Sequence, residues 1–145
     1  MPFARAASAF AALATTTTAV RLSLHVLAAS VWVGGQLTVA GLLGTARGLG
    51  ESASKLVARA FGRLQWPAYA ALLATGVWNV VANHLSAQGS EWNAVLGAKI
   101  AVVLIAGLAA CLHQRSRSRA GLAAFGAISA LASLSALVLG VLLAG

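Results

Sequence analysis

Charged residues are scarce in this chain, and acidic residues are the scarcest. Of 145 residues, 8% are charged and 60% hydrophobic, whereas about 25% of an ordinary soluble domain is charged. This composition excludes a water-soluble globule, and it excludes a disordered chain, which needs low hydrophobicity and high charge. Glu51 and Glu91 are too few acids for a paired-carboxylate hydrolase or a calcium site. The single cysteine, Cys111, excludes a disulfide scaffold and a cysteine-only zinc site.

Positive charge is the main polar feature that remains. The formal net charge is +8, carried by ten lysines and arginines. On so apolar a chain these residues fit the flanks of membrane spans better than a nucleic-acid surface, because Lys and Arg collect at the cytoplasmic face of a bilayer. We therefore predict an integral membrane protein whose partner is the lipid bilayer and which binds no nucleic acid.

Four segments are long and apolar enough to be spanning helices. A span needs about 20 mostly apolar residues, and these runs do not alternate with period two, which favours helices over a barrel. The expected fold is an all-α four-helix transmembrane bundle over residues 20–145. Residues 1–19 are predicted to be an exposed or interfacial segment, with a cleaved signal peptide as the alternative. The predicted spans are Val20–Leu43, Leu64–His84, Asn93–His113 and Ala120–Leu143.

The basic residues divide unequally between the two sides of such a bundle. One side carries the connector after span one, the helix entering span two and the third connector, with Arg47, Lys55, Arg59, Arg63, Arg115, Arg117 and Arg119. The other side offers Arg5 and, at the edge of span one, Arg21. The positive-inside rule then places both basic connectors in the cytoplasm and both termini on the outer side.

Ionisable residues within a span are functional hypotheses by default. His25 lies about five residues inside span one, and at 100° per residue Trp32 and Gln36 fall on the same side of the helix. His84 ends span two toward the same leaflet, and two imidazoles at similar depth can hold a metal ion or a haem iron. We predict His25 as first ligand and His84 as second, with Trp32 and Gln36 lining the pocket. The alternative for His84 is a wet interfacial residue.

Lys99 is the second informative residue, seven positions inside span three. Its long stem allows the ammonium to snorkel toward the headgroups. The alternative is that it pairs with an anionic ligand such as a haem propionate. Thr75, Asn79 and Asn83 on span two are predicted to hydrogen-bond across helices. His113, beside the basic third connector, is predicted to be an interface residue.

A family resemblance rests on the run LHVLAASVWVGG over residues 24–35. It resembles the first span of the CopD-like copper-resistance membrane domain, in which a His is followed by a Trp and a Gly-Gly pair. Arg59-x-Phe61-x-Arg63, Thr75-Gly76 and Ala98-Lys99 extend the resemblance over most of the chain. The resemblance implies a domain in the cytoplasmic membrane of a bacterium, associated with copper uptake or tolerance. The first-span His and later Lys are also similar to the haem-linked HemJ-like protoporphyrinogen oxidases.

The potential ligands in the sequence suit haem better than Cu(I). Cu(I) favours thiolate and thioether ligands, and the chain offers only Cys111 and Met1, so a copper site would depend on imidazole. Haem needs one or two histidines, an apolar pocket and a cation for its propionates. Three functions stay open: copper handling or transport, a b-type haem redox protein, and a non-catalytic accessory subunit of a larger membrane complex. The partners expected besides lipid are further copies of the chain, in a homo-oligomer, or a larger membrane complex.

Overall fold

A computed structural model describes residues 16–83 and 88–144, and across these ranges the chain is helical with short connections and no strand. The predicted all-α four-helix bundle is confirmed. Residues 1–15 of the predicted N-terminal segment and His84 lie outside the described residues. The helices are α1 (Thr16–Gly48), α2 (Glu51–Ala82), α3 (Ser90–Arg115) and α4 (Arg119–Leu142).

Within the described ranges, three helices, α1, α3 and α4, are long and apolar enough to cross a membrane by length and composition. Helix α2 is longer than α3 or α4, at 32 residues, but polar residues interrupt its apolar half. Gln65 and Thr75 among them are buried against the bundle. Its outward face is apolar, with Val77 and Val81 exposed by 64% and 68%. The second predicted span, Leu64–His84, is therefore the most polar of the four by sequence, although Val77 and Val81 give it apolar outward surface.

Helix α1 is not a regular α-helix throughout. The turn Ser30–Gly34 is π-helical, between α-helical segments Thr16–Ala29 and Gly35–Gly48. A π turn holds one extra residue, so it rotates the helix after it relative to the helix before it. The single straight stripe expected for His25, Trp32 and Gln36 is therefore broken between His25 and the other two.

The helices pack as two antiparallel hairpins, α1 with α2 and α3 with α4. Hydrogen bonds set the register of the second hairpin, joining Trp92 to Leu143, Ser129 to Ala106 and His113 to Leu122. We call the end at which α1 and α3 begin the Arg21 end, and the opposite end the basic end. The basic end carries the seven basic residues predicted to share one side of the membrane.

The connections at the basic end are short, and local chemistry sets them. Gly50, between α1 and α2, has φ of 109°, a left-handed conformation that favours glycine. Ser118 caps α4 by accepting the backbone N–H of Gly121 at 3.0 Å. In the first turn of α2, Lys55 donates to Glu51 at 2.7 Å, and this pair lowers the pKa of the Glu51 carboxyl.

Candidate functional site

His25 faces helix α2 and not the surrounding lipid. Its Nδ1 lies 2.8 Å from the hydroxyl oxygen of Thr75, and the ring is half-buried. Gly76 lies beside the ring, since a Cβ there would meet the imidazole Cε1 at 3.6 Å, an ordinary van der Waals contact. The expectation that Thr75 bonds across helices is met, and its partner is the histidine.

The Thr75 hydroxyl determines which nitrogen of His25 carries a proton. Thr75 Oγ1 lies 2.7 Å from the carbonyl oxygen of Ala71, one turn earlier on α2. A carbonyl only accepts, so the single hydroxyl proton lies on that bond. Thr75 must then accept from His25, which makes Nδ1 the protonated nitrogen. The lone pair of the neutral imidazole is left on Nε2, the form in which histidine binds metals.

Lys99 reaches toward the Arg21 end. The register of the α3–α4 hairpin places the Lys99 Cα level with Ala136. The Lys99 ammonium, however, lies beside Gly140, where a Cβ would be 2.9 Å from Nζ. The side chain therefore runs about one turn toward the end of α4, as snorkelling requires. Helices α1 and α4 are antiparallel and are joined at Trp32 and Ser133. His25 lies seven residues before Trp32 and Gly140 lies seven residues after Ser133, so His25 and Gly140 are at the same level. The ammonium is thus within electrostatic reach of the His25 ring.

Trp32 and Gln36 lie deeper in the bundle and bond to α4. Trp32 is 2% exposed, and its indole N–H donates to Ser133 at 2.8 Å. The Gln36 amide donates to the same hydroxyl at 3.2 Å. One turn earlier on α4, Ser129 donates to the Ala106 carbonyl of α3 at 3.0 Å, so α4 bonds to both α1 and α3 at this level. Trp32 and Gln36 thus form a polar junction with Ser133 that begins seven residues beyond His25 along α1, and their role in lining a pocket stays a prediction.

An aromatic cluster adjoins that junction. Trp32 packs on Tyr69 with ring centroids 4.6 Å apart, and Trp66 meets both rings edge-on at about 6 Å. Tyr69 donates its hydroxyl to the Val103 carbonyl at 2.9 Å. Neither Trp66 nor Tyr69 was singled out from the sequence. Only packing between helices distant in sequence brings these rings together.

The remaining candidate ligands are spread out. His84 lies outside the described residues. His113 is at the basic end, where its Nδ1 lies 2.8 Å from the Leu122 carbonyl, consistent with an interface residue. Cys111 is partly buried and free. Among residues 16–83 and 88–144, no three His, Cys, Asp or Glu side chains lie close enough together to hold a metal ion. Within the described chain, His25 therefore offers a single-histidine site.

Apolar surface adjoins this histidine. A groove of about 520 Å³ runs between α1 and α2 and has Thr75 in its wall. The remaining wall is aliphatic or aromatic and includes Leu24, Leu27, Val31, Ala71 and Trp78. The hydrogen bond between Thr75 and His25 thus lies at the boundary between the apolar groove and the bundle interior.

Sequence reasoning missed the burial of Arg21. The positive-inside rule counts Arg21 as a charge at the membrane edge of span one, yet the residue is buried, with 6% of its surface exposed. The available signal was its spacing, because Arg21 precedes His25 by four residues and shares its helix face.

Comparison with protein-family models, with curated proteins and with solved structures finds no match to this chain. The resemblance to the CopD-like and HemJ-like families therefore stays a prediction from the sequence, and a function has to be argued from the geometry around His25.

Proposed function

We propose that this chain is a haem-binding redox protein of the bacterial cytoplasmic membrane, in which Nε2 of His25 ligates the iron of haem b. The observation that carries the proposal is the hydrogen-bond chain from His25 Nδ1 to Thr75 and on to the Ala71 carbonyl. It places a proton on Nδ1, fixes the orientation of the ring and leaves Nε2 without a hydrogen bond among the described residues. Ligating histidines in metal sites are held in the same way by a partner on the other nitrogen.

The charges near His25 favour haem over a copper ion. A bare copper ion would add positive charge beside Lys99, and the described residues provide no cluster of acids, thiolates or further imidazoles to bind it. Haem carries carboxylates, so the Lys99 ammonium attracts it. One histidine suffices for an axial ligand in haem proteins.

Haem b, when bound, supplies one-electron chemistry at its iron. The residues of the chain have simpler roles. His25 supplies the ligand nitrogen, Thr75 holds its proton on Nδ1, and Lys99 offers a cation to an acidic group of the ligand.

The position in the membrane follows from the basic end. With its seven basic residues in the cytoplasm, the Arg21 end with His25 and Lys99 lies in the outer half of the bilayer. The site is then open to electron donors or acceptors at the outer surface.

The test is a spectrum with metal analysis. The protein is purified in detergent from bacterial membranes, and its absorption, iron and copper content are measured for wild type, His25→Ala and His113→Ala. We expect a Soret band in wild type, its loss in H25A and its retention in H113A, whose imidazole lies at the opposite end of the bundle.

Three results would contradict haem binding at His25. A Soret band that H25A retains would place the haem elsewhere. Stoichiometric copper without a Soret band would favour copper handling. Neither metal, with a protein co-purifying in fixed ratio, would favour an accessory subunit of a larger complex.

A further inference from the structure

Arg21 carries a buried charge whose hydrogen-bonding capacity is largely unused. The residue is 6% exposed, in the second turn of α1. Its Nε and Nη1 atoms are buried and have no hydrogen-bond partner in the part of the chain that the structure describes. Burying an unpaired guanidinium is energetically unfavourable, and proteins rarely retain one without a compensating group.

No acidic side chain of the described chain compensates this charge. In the ranges 16–83 and 88–144 the one ion pair joins Lys55 to Glu51 at the basic end. Glu91, in the first turn of α3 at the Arg21 end, is exposed and makes no ion pair within those ranges. The other charge near this level is the Lys99 ammonium, which is also positive. The excess charge at the Arg21 end is therefore cationic.

A second unpartnered polar group lies on the neighbouring helix. Because His25 bonds to Thr75 across antiparallel helices, Arg21 is level with Asn79, one turn further on in α2. The amide oxygen of Asn79 is buried and has no partner among the described residues. Two helices thus bring unsatisfied donors and an unsatisfied acceptor to the same level of the bundle.

We propose that Arg21 and Asn79 form a binding site for an oxyanion, a carboxylate or phosphate group, at the Arg21 end of the bundle. A guanidinium is the side chain best suited to such groups, because it is always charged and presents several donors. Inorganic phosphate, which keeps a proton at neutral pH, also donates to the Asn79 oxygen, and the glycerol hydroxyls of a phosphatidylglycerol headgroup supply the same donor; for a porphyrin carboxylate, Arg21 alone provides the contact. The group comes from a porphyrin carboxylate, a lipid headgroup or free phosphate, and the proposal holds for each source.

The test measures the thermal stability of the purified chain in a neutral detergent against three probes. They are metal-free protoporphyrin IX, dioleoylphosphatidylglycerol and inorganic phosphate. The dimethyl ester of protoporphyrin IX and dioleoylglycerol are the uncharged controls. We expect at least one oxyanion probe, and neither uncharged control, to raise the midpoint of unfolding, and the effective probe identifies the source.

Variants locate the effect. Arg21→Met should lower the affinity for the effective probe about 10-fold or more. Arg21→Lys keeps the charge and should retain part of that affinity. Arg59→Met is the matched control, because it removes an exposed arginine at the basic end. Methionine fills the volume without an unpaired charge, so R21M should still fold.

The proposal is overturned if no oxyanion probe raises the midpoint, or if R21M responds as wild type does. Metal-free porphyrin makes no bond to His25 through iron. This experiment and the haem spectrum therefore fail independently of each other.

Discussion

Trp32 and Ser133 are joined by a 2.8 Å hydrogen bond that crosses from α1 to α4 and links residues 101 positions apart. The same serine accepts from Gln36 at 3.2 Å. Both donors lie within or next to the π turn of α1, so one hydroxyl anchors the irregular part of that helix to the second hairpin.

Ser133→Ala should therefore destabilise the bundle. It leaves the buried Trp32 indole N–H and the Gln36 amide without their acceptor, at a cost of about 1–3 kcal/mol. Thermal unfolding in detergent, followed by circular dichroism, measures the loss. Ser135→Ala, on the exposed face of the same helix, should leave the midpoint nearly unchanged, and equal effects of the two substitutions would contradict the assignment.

Thr75→Val should weaken haem binding while keeping His25. Valine has a similar shape but no hydroxyl, so the Nδ1 proton loses its acceptor and the ring loses its fixed orientation. Loss of such a partner costs about 10–100-fold in metal affinity, to be measured by haem titration. Thr38→Val is the control, because Thr38 makes the same bond to the carbonyl four residues back, at an exposed position. Affinity unchanged in T75V would mean that the hydrogen bond does not prepare His25 as a ligand.

Gly107→Ala should disturb the aromatic cluster. A Cβ at Gly107 would overlap the hydroxyl end of Tyr69, and that ring is held by Trp32 and by its bond to Val103. Overpacking of this kind costs about 1–3 kcal/mol. Gly97→Ala, on the same helix, meets nothing within 4 Å and should be neutral or slightly stabilising in the same unfolding assay. A neutral G107A would show that Tyr69 can move freely.

The Glu51–Lys55 pair predicts a local pH dependence. Lys55 lowers the pKa of Glu51, so the stabilisation from the pair is complete above the ordinary carboxyl pKa of about 4.3. It is lost as the pH falls through the lowered value. NMR titration of the Glu51 carboxyl should show its pKa rising toward the ordinary value in Lys55→Gln. The effect on stability should be small, because both groups are exposed, and an unshifted titration in K55Q would contradict the pairing.

The orientation is tested by reporter fusions. If the basic end faces the cytoplasm, an alkaline phosphatase fused after Gly145 should be active in the periplasm, and a cytoplasmic reporter at the same point should be inactive. Moving basic residues from the connectors to the Arg21 end should favour inversion. A C-terminus found in the cytoplasm would place the His25 site in the inner leaflet.

The sequence by itself determined the helices and the asymmetry of charge. Hydropathy and length are local properties, so the apolar runs predicted four helices, and the basic connectors predicted a common end. The histidine on α1 was also visible, because an imidazole inside an apolar run stands out without any partner being known.

Tertiary structure decided which side chains meet. Helix rotation and register depend on packing between segments far apart in the chain, and sequence periodicity does not fix them. The sequence offered several polar residues on α2, and only the packing of α2 against α1 selected Thr75 as the partner of His25. The direction of the Lys99 side chain, toward Gly140, was likewise set by packing against α4. Within and after the π turn, Trp32 and Gln36 bond to Ser133 of α4. Helix packing also buried Arg21, which the sequence placed at the edge of a span.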